Sequence, residues 1–242
     1  MSRACVLAAA LALAAGCGGS DDDRLEVFAA SSLRDVAPEV DPAPRYTFAG
    51  SDELAAQIRD GAPADVFLSA SAAPLEQLRS AGLVEAPFVF ASNRLVVVVP
   101  EGNPAGLEGF DELVRPGVKL VLGGEGVPIG DYAREALAAA GFATALENVV
   151  SLEQDVKGVL GKVALGEADA GIVYTTDVRA AAEDVRELAI PDDAQPDVRY
   201  YAAVVIAGDT DRAAKFVKRL AGGEGGRALR AAGFLPVPNR AE

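Results

Sequence analysis

The chain has 242 residues, 50% of them hydrophobic, with 22 basic and 36 acidic side chains and a formal net charge of −14. This size can bury one large core or two smaller ones, but the acidity argues against nucleic acids and anionic membrane surfaces, which require basic patches. The sequence contains no histidine, which excludes Ser-His-Asp and Cys-His hydrolysis and removes the commonest general base and metal ligand.

Residues 1–16 are predicted to be a signal peptide, because the apolar run 5–15 is too short to span a bilayer and small residues follow it. LAAGC, at 13–17, resembles a bacterial lipoprotein signal. That resemblance implies that cleavage leaves Cys17 as a lipid-modified N-terminus, followed by a polar tether to residue 24. The alternative is an ordinary secretory signal, but the mature chain has no second cysteine to pair with Cys17.

Two similar strand and helix pairs come next along the chain. LEVFAA (25–30) and RYTFAG (45–50) predict strands, since both are short apolar or β-branched runs bounded by turn residues. SSLRDVAPEV (31–40) and SDELAAQIRDG (51–61) predict helices that begin near a serine. The two pairs share a Phe-Ala-small-Ser sequence, which suggests that the same local device occurs twice.

Strand and helix patterns continue to alternate through the rest of the chain. Further strands are predicted at DVFLSA (65–70), RLVVVVP (94–100), VKLVLGG (118–124), DAGIVY (169–174) and YYAAVVIAG (200–208). Further helices are predicted at PLEQLRSAG (74–82), DYAREALAAAG (131–141), DVKGVLGKVALGE (155–167) and DRAAKFVKRLAGG (211–223). This alternation indicates an α/β fold with a largely parallel sheet.

The turn GGEGVPIG (123–130) comes closest to a nucleotide-binding motif. Its glycines are spaced one residue too widely for the dinucleotide fingerprint, Pro128 interrupts it, and GKV (161–163) lacks the Ser or Thr of a P-loop. We therefore expect no cofactor. The unpaired N–H groups of several helix starts could instead hold a small anion, although plain capping is the alternative for any single serine.

Seven segments together resemble the periplasmic molybdate-binding proteins of ABC importers: FAASSL, FAGSDELAAQI, GAPADVFLSA, RLVVVVP, VPIGDYAREAL, DVKGVL and AGIVYTTD. The resemblance implies an α/β fold, the two-lobed periplasmic-binding-protein clamshell of type II, in which the chain crosses twice between the lobes. Lobe one would contain residues 25–98 and 203–242, and lobe two would contain residues 99–202. The crossovers are expected at VVVVP and YYAAV, and the ligand in the cleft between the lobes.

The resemblance also implies five ligand-binding residues. Ser32 and Ser51 match two serines that follow strands, and Tyr174 matches a tyrosine whose hydroxyl reaches the oxyanion. Ile129 and Val156 match positions that act through their backbone N–H groups. Ile129 stands where the family usually has alanine, so we expect a tighter wall with the hydrogen bond retained. No catalytic residue and no ligand for a metal cation is expected, because the metal enters only within the oxyanion.

The function implied by the resemblance is extracytoplasmic capture of molybdate or tungstate for delivery to the permease and ATPase of an ABC importer. Such a protein would be an exported monomer in the periplasm or at the outer face of the cytoplasmic membrane, attached to lipid only through Cys17. Two alternatives remain within the same class: a receptor for another small oxyanion such as sulfate, or one for phosphate or an organic carboxylate. Sulfate has the same charge and shape as molybdate.

Two alternatives of other classes are also open. One is an enzyme with Asp65, Asp131 or Asp155 as general acid or base, and the other is a structural surface lipoprotein. Asp131 and Asp155 lie beside predicted helix starts, where acids offset the helix dipole, and Asp65 opens a predicted strand. Each acid thus has a structural explanation, and we expect a binding protein and no enzyme.

Overall fold

The computed structural model describes residues 24–237. The predicted signal peptide, Cys17 and the rest of the tether before residue 24 lie outside the described residues. The strands are β1 (Glu26–Ala30), β2 (Arg45–Ala49), β3 (Val66–Ser69), β4 (Phe88–Asn93), β5 (Leu95–Pro100), β6 (Leu120–Gly123), β7 (Val149–Glu153), β8 (Ala170–Tyr174), β9 (Val185–Ala189) and β10 (Val198–Val204).

Helices fill most of the connections between these strands. The α-helices are α1 (Ala37–Val40), α2 (Ser51–Arg59), α3 (Ala72–Ser80), α4 (Pro128–Ala139), α5 (Val156–Ala164), α6 (Thr175–Ala180), α7 (Thr210–Ala221) and α8 (Gly223–Ala231). Short 3₁₀ helices are Ser31–Leu33, Phe110–Val114, Ala143–Asn148 and Asp192–Ala194. From residue 24 to residue 237, no helix combines the length and the apolar character needed to cross a bilayer.

The single helix predicted at 31–40 is wrong, because the structure divides it into the 3₁₀ helix Ser31–Leu33 and the four-residue α1. Pro38 accounts for the break. Proline has no backbone N–H and disfavours helical geometry in the residue before it, so it fits only within the first turn of a helix. Ser32 therefore lies in a separate tight turn directly after β1.

The strands form two five-stranded sheets, in the orders β2-β1-β3-β10-β4 and β7-β6-β8-β5-β9. Within each sheet one strand runs against the other four: β10 in the first and β5 in the second. Each reversed strand is the first strand after the chain changes sheet. No α-helix lies between it and the preceding strand, which belongs to the other sheet. The sheets are accordingly mixed, with the parallel part formed by β1 to β3 and by β6 to β8.

The chain changes sheet at Arg94, between β4 and β5, and again in residues 190–197, between β9 and β10. The predicted boundaries, after residues 98 and 202, fall instead inside β5 and β10. Both strands stay whole because they pair along their length with two neighbours in one sheet, and Leu95–Val99 are buried there. The structure thus places residues 24–93 and 198–237 in lobe one and residues 95–189 in lobe two.

Candidate functional site

A small cleft lies where the two lobes meet, at the carboxyl ends of parallel strands from both sheets. This is the edge at which open α/β sheets commonly bind ligands. Lobe one lines the cleft with residues that end or follow β1, β2 and β3: Ala30, Ser31, Ser32, Ala49, Gly50, Ser51 and Ala70. Lobe two lines it with the starts of α4 and α5 and the end of β8: Val127, Pro128, Ile129, Asp155, Val156 and Tyr174. All five residues predicted for the site are therefore brought together.

The size of the cleft restricts what it can hold. Its cavity volume is only ≈ 20 Å³. One water needs roughly 10–15 Å³, and pockets for drug-sized ligands start at about 300 Å³. The lobes also touch directly, because a methyl group on Gly50 would overlap the carbonyl oxygen of Gln154. A ligand of only a few atoms fits this space.

The two serines of lobe one are held so that each can donate a hydrogen bond. The Oγ of Ser32 accepts from the hydroxyl of Tyr200 at 2.9 Å, and the Oγ of Ser51 accepts from the N–H of Ala70 at 3.1 Å. Both serines are buried. A hydroxyl whose oxygen already accepts still carries one proton to donate, so each serine offers an O–H group to a ligand.

Tyr174 ends β8 and provides a third hydroxyl. Its ring packs edge-on against the ring of Tyr200, with 5.8 Å between the centroids, and Tyr174 is only 1% exposed. The hydroxyl oxygen is buried and has no hydrogen-bond partner among the described residues. Burial raises the pKa of Tyr174 well above its ordinary value, so the group keeps its proton. A buried hydroxyl without a partner is costly, by about 1–3 kcal/mol, unless something in the cleft accepts from it.

Ile129 and Val156 supply backbone donors at two helix starts. Pro128 is the first residue of α4 and has no N–H, so Ile129 presents the first N–H of that helix, while Val156 is the first residue of α5. The first N–H groups of a helix have no acceptor within it. Both side chains are buried in the core. A methyl group on Gly123 would lie 2.9 Å from Cγ2 of Ile129, which shows how tightly this wall is packed.

The amino ends of helices, and no cationic side chain of the described residues, face the cleft. Among the described residues, no lysine or arginine lines it, and its charged lining residue is Asp155. That carboxylate accepts from the N–H of Gly158 at 2.9 Å and so caps α5. The amino ends of α2, α4 and α5 all lie at the cavity, and each carries the positive end of a helix dipole.

The three acids weighed for enzyme chemistry all accept backbone hydrogen bonds. Asp65 accepts from the N–H groups of Glu26 at 2.7 Å and Asp209 at 2.6 Å, away from the cleft. Asp131 accepts from the N–H of Gly126 at 2.9 Å, and Asp155 is the cap just described. Each carboxylate thus stabilises the local backbone, which is the structural role that its position in the sequence suggested.

Sequence reasoning missed Tyr200, which orients Ser32 and supports the ring of Tyr174. In β10, buried and half-buried positions alternate from Val198 to Tyr201, so Tyr200 and Tyr201 lie on opposite faces of the sheet and only Tyr200 is fully buried. The run YYAAVV is apolar at almost every position, and its pattern could not distinguish one tyrosine from the other. The charged side chain of Arg199 was the available signal. It marks the less buried face of β10 and so places its neighbour Tyr200 on the opposite, buried face.

Known proteins are similar to this chain over most of its length. A family model described as bacterial extracellular solute-binding protein matches residues 26–235. The chain is 37% identical over 220 residues to the molybdate-binding protein ModA of Mycobacterium tuberculosis H37Rv, covering 86% of this chain and 83% of that protein. It is 32% identical over 244 residues to the Escherichia coli K12 molybdate-binding protein ModA, covering 93% and 95%.

Among solved structures, the periplasmic molybdate-binding protein of Azotobacter vinelandii is similar with a TM-score of 0.78. The two are 22% identical, and the match covers 89% of this chain and all of that one (100%). This similarity confirms the predicted fold, an α/β clamshell with two lobes and two crossovers.

Proposed function

Because the chain belongs to the family of bacterial extracellular solute-binding proteins, we propose that it captures molybdate or tungstate in the cleft and delivers it to an ABC importer. The relatives named molybdate-binding protein span most of the chain, in agreement with the resemblance found in the sequence. The protein then acts outside the cytoplasm as a binding protein, without catalysis and without a cofactor. Its partners are the permease and the ATPase of the importer.

The buried, unpartnered hydroxyl of Tyr174 is the observation that carries this proposal. It points to a ligand that accepts hydrogen bonds, and the O–H groups of Ser32 and Ser51 offer two more donors in the same cavity. A fully ionised tetrahedral dianion presents only acceptors. Charge-assisted hydrogen bonds from neutral donors then bind it, about twice as strongly as neutral pairs.

Selectivity over sulfate follows from where the donors are attached. The N–H groups of Ile129 and Val156 belong to helices packed into the core, so they cannot follow a smaller anion inward. Sulfate has shorter bonds than molybdate and leaves some donors unpaired, which disfavours it. We propose that cavity size, set by these donors, separates molybdate and tungstate from sulfate.

Isothermal titration calorimetry of the ligand-free protein with molybdate, tungstate and sulfate tests the proposal. We expect molybdate and tungstate to bind and sulfate to bind much more weakly. At a hundredfold excess over Kd, molybdate should stabilise the fold by ~2.7 kcal/mol in a thermal melt. Equal affinity for sulfate would favour the receptor for another oxyanion, and no response to any of these anions would refute the assignment.

Ser51→Asp adds a residue-level test. It puts a carboxylate against the anion in a buried cleft, where like charges repel strongly, so molybdate binding should become undetectable. Ser80→Asp is the matched control, because Ser80 is exposed at the end of α3 and the added charge is the same. If Ser51→Asp binds molybdate like the control, the binding site lies elsewhere.

A further inference from the structure

We propose that the ion pair between Lys157 and Asp35 is an interlobe latch that holds the cleft closed around its ligand and slows ligand release. The inference rests on the proposed function, since it describes how the same cleft retains its anion. Lys157 does not line the cavity, so its role is to position the residues that do.

The latch joins the lobes through one ammonium group. Nζ of Lys157 lies 2.8 Å from Oδ2 of Asp35 and 3.1 Å from Oδ1 of Asp177. Lys157 and Asp177 belong to lobe two, on α5 and α6, whereas Asp35 belongs to lobe one, just after the 3₁₀ helix Ser31–Leu33. Separating the lobes would break the bond to Asp35 and leave the pair with Asp177 intact.

Each member of this cluster lies next to a proposed ligand donor in the sequence. Asp35 follows Ser32 by three residues, Asp177 follows Tyr174 by three residues, and Lys157 follows Val156 directly. One ammonium therefore connects three donor-bearing segments that come from different parts of the chain. When the Lys157–Asp35 bond is made, the segment carrying Ser32 is fixed relative to the segments carrying the lobe-two donors.

The two carboxylates differ in a way that suits a reversible contact. The side chain of Asp177 is completely buried (0% exposed), and that burial raises its pKa from 3.8 to about 6 against the opposing effect of Lys157. Asp35 keeps 60% of its side chain exposed, so water can solvate it once the lobes part. The Lys157–Asp177 contact lies within lobe two, so it positions the ammonium before Asp35 arrives, and a preorganised partner loses less entropy when the second bond forms.

Asp35→Asn tests the latch without disturbing the buried pair. Glu39→Gln is the matched control, because Glu39 is an exposed acid that lines the same surface pocket as Asp35 and the change in charge is identical. Loss of a partly exposed ion pair usually changes an equilibrium constant such as Kd by roughly two- to fivefold. We expect this loss for Asp35→Asn only, with the melting temperature of the ligand-free protein unchanged.

The kinetics provide a measurement that a merely structural contact would not affect. The chain has no tryptophan and five tyrosines, of which Tyr174 lines the cleft, so stopped-flow tyrosine fluorescence can follow molybdate binding. We expect the dissociation rate to rise by the same factor as Kd while the association rate stays constant. Asp35→Lys should release molybdate faster still because it sets two ammonium groups against each other, and Glu39→Lys controls for its added charge.

The outcomes separate the two proposals. If the wild type does not bind molybdate, the proposed function fails before the latch is tested. If the wild type binds and Asp35→Asn releases molybdate at the rate of Glu39→Gln, the proposed function stands and the latch is refuted. A slower association with normal dissociation would also overturn it, since a latch acts only after the cleft has closed.

Discussion

Replacing Tyr174 by phenylalanine should have opposite effects on stability and on binding. The ring remains, together with its edge-on packing against Tyr200, and only the buried hydroxyl is removed. In the ligand-free protein that hydroxyl has no partner among the described residues, so the fold loses no hydrogen bond. In the proposed complex it donates to the anion, so binding should lose a charge-assisted bond.

The two magnitudes can be estimated separately. Leaving a buried polar group unsatisfied costs about 1–3 kcal/mol, so ligand-free Tyr174→Phe should be as stable as the wild type or more stable by up to that amount. A hydrogen bond to a charged group contributes roughly 1.5–3 kcal/mol, which corresponds to a loss of about ten- to a hundredfold in molybdate affinity.

Chemical denaturation of the ligand-free variant and calorimetric titration with molybdate measure the two effects. Tyr200→Phe is the control, because its hydroxyl is equally buried but donates to Ser32 at 2.9 Å. That variant should lose about 0.5–1.5 kcal/mol of stability even without ligand. The reasoning is refuted if Tyr174→Phe loses as much stability as Tyr200→Phe while it binds molybdate normally, since the hydroxyl would then be structural.

Three further variants test other parts of the assignment. Ile129→Ala should keep the molybdate Kd within a few fold by calorimetry, because the backbone N–H survives, yet lose about 2–5 kcal/mol of stability in denaturant titrations from the emptied core. Asp177→Asn should change the pH dependence of stability. Because burial raises the pKa of Asp177 from 3.8 to about 6, the folded protein binds its proton more tightly than the unfolded chain. The wild type should therefore gain about 2 kcal/mol relative to Asp177→Asn as the pH falls from 7 to 4 in urea titrations, and parallel curves would contradict this. Cys17→Ser should move the protein from the membrane to the soluble fraction without altering anion binding, and a wild type that is already soluble after export would contradict the lipid anchor.

The central strands were predictable because their sequences are apolar on both faces. β1, β3, β5, β6, β8 and β10 all correspond to apolar runs found in the sequence. The strands that were missed, β4, β7 and β9, all lie at the edges of the sheets. An edge strand pairs on one side only, and β7 buries no residue fully, so its pattern is weak. α8 was missed for another reason: three glycines lower its helix propensity, and packing of Leu229 into the core stabilises it.

The site was predictable to different degrees for physical reasons. Serines at helix starts are visible in a sequence, so Ser32 and Ser51 could be proposed from local pattern as well as from resemblance. The roles proposed for Ile129 and Val156 use backbone N–H groups that every residue except proline carries, so their side chains reveal nothing about those roles. The support of Ser32 by Tyr200 spans 168 residues, and such a contact is known only once both sheets are assembled.

An acidic protein can bind a dianion in this cleft because the favourable field there is local. The net charge of −14 acts over long distances and is screened by salt, whereas the O–H and N–H donors lie at the cavity wall, out of water. The nearby ammonium of Lys157 is already neutralised by Asp35 and Asp177, so it adds little attraction for the ligand. Donors fixed by packing need no reorganisation when an anion enters, and they cannot adjust to a smaller one. If the proposed function holds, the donors that replace a cation in this cleft are therefore also what makes it selective by size.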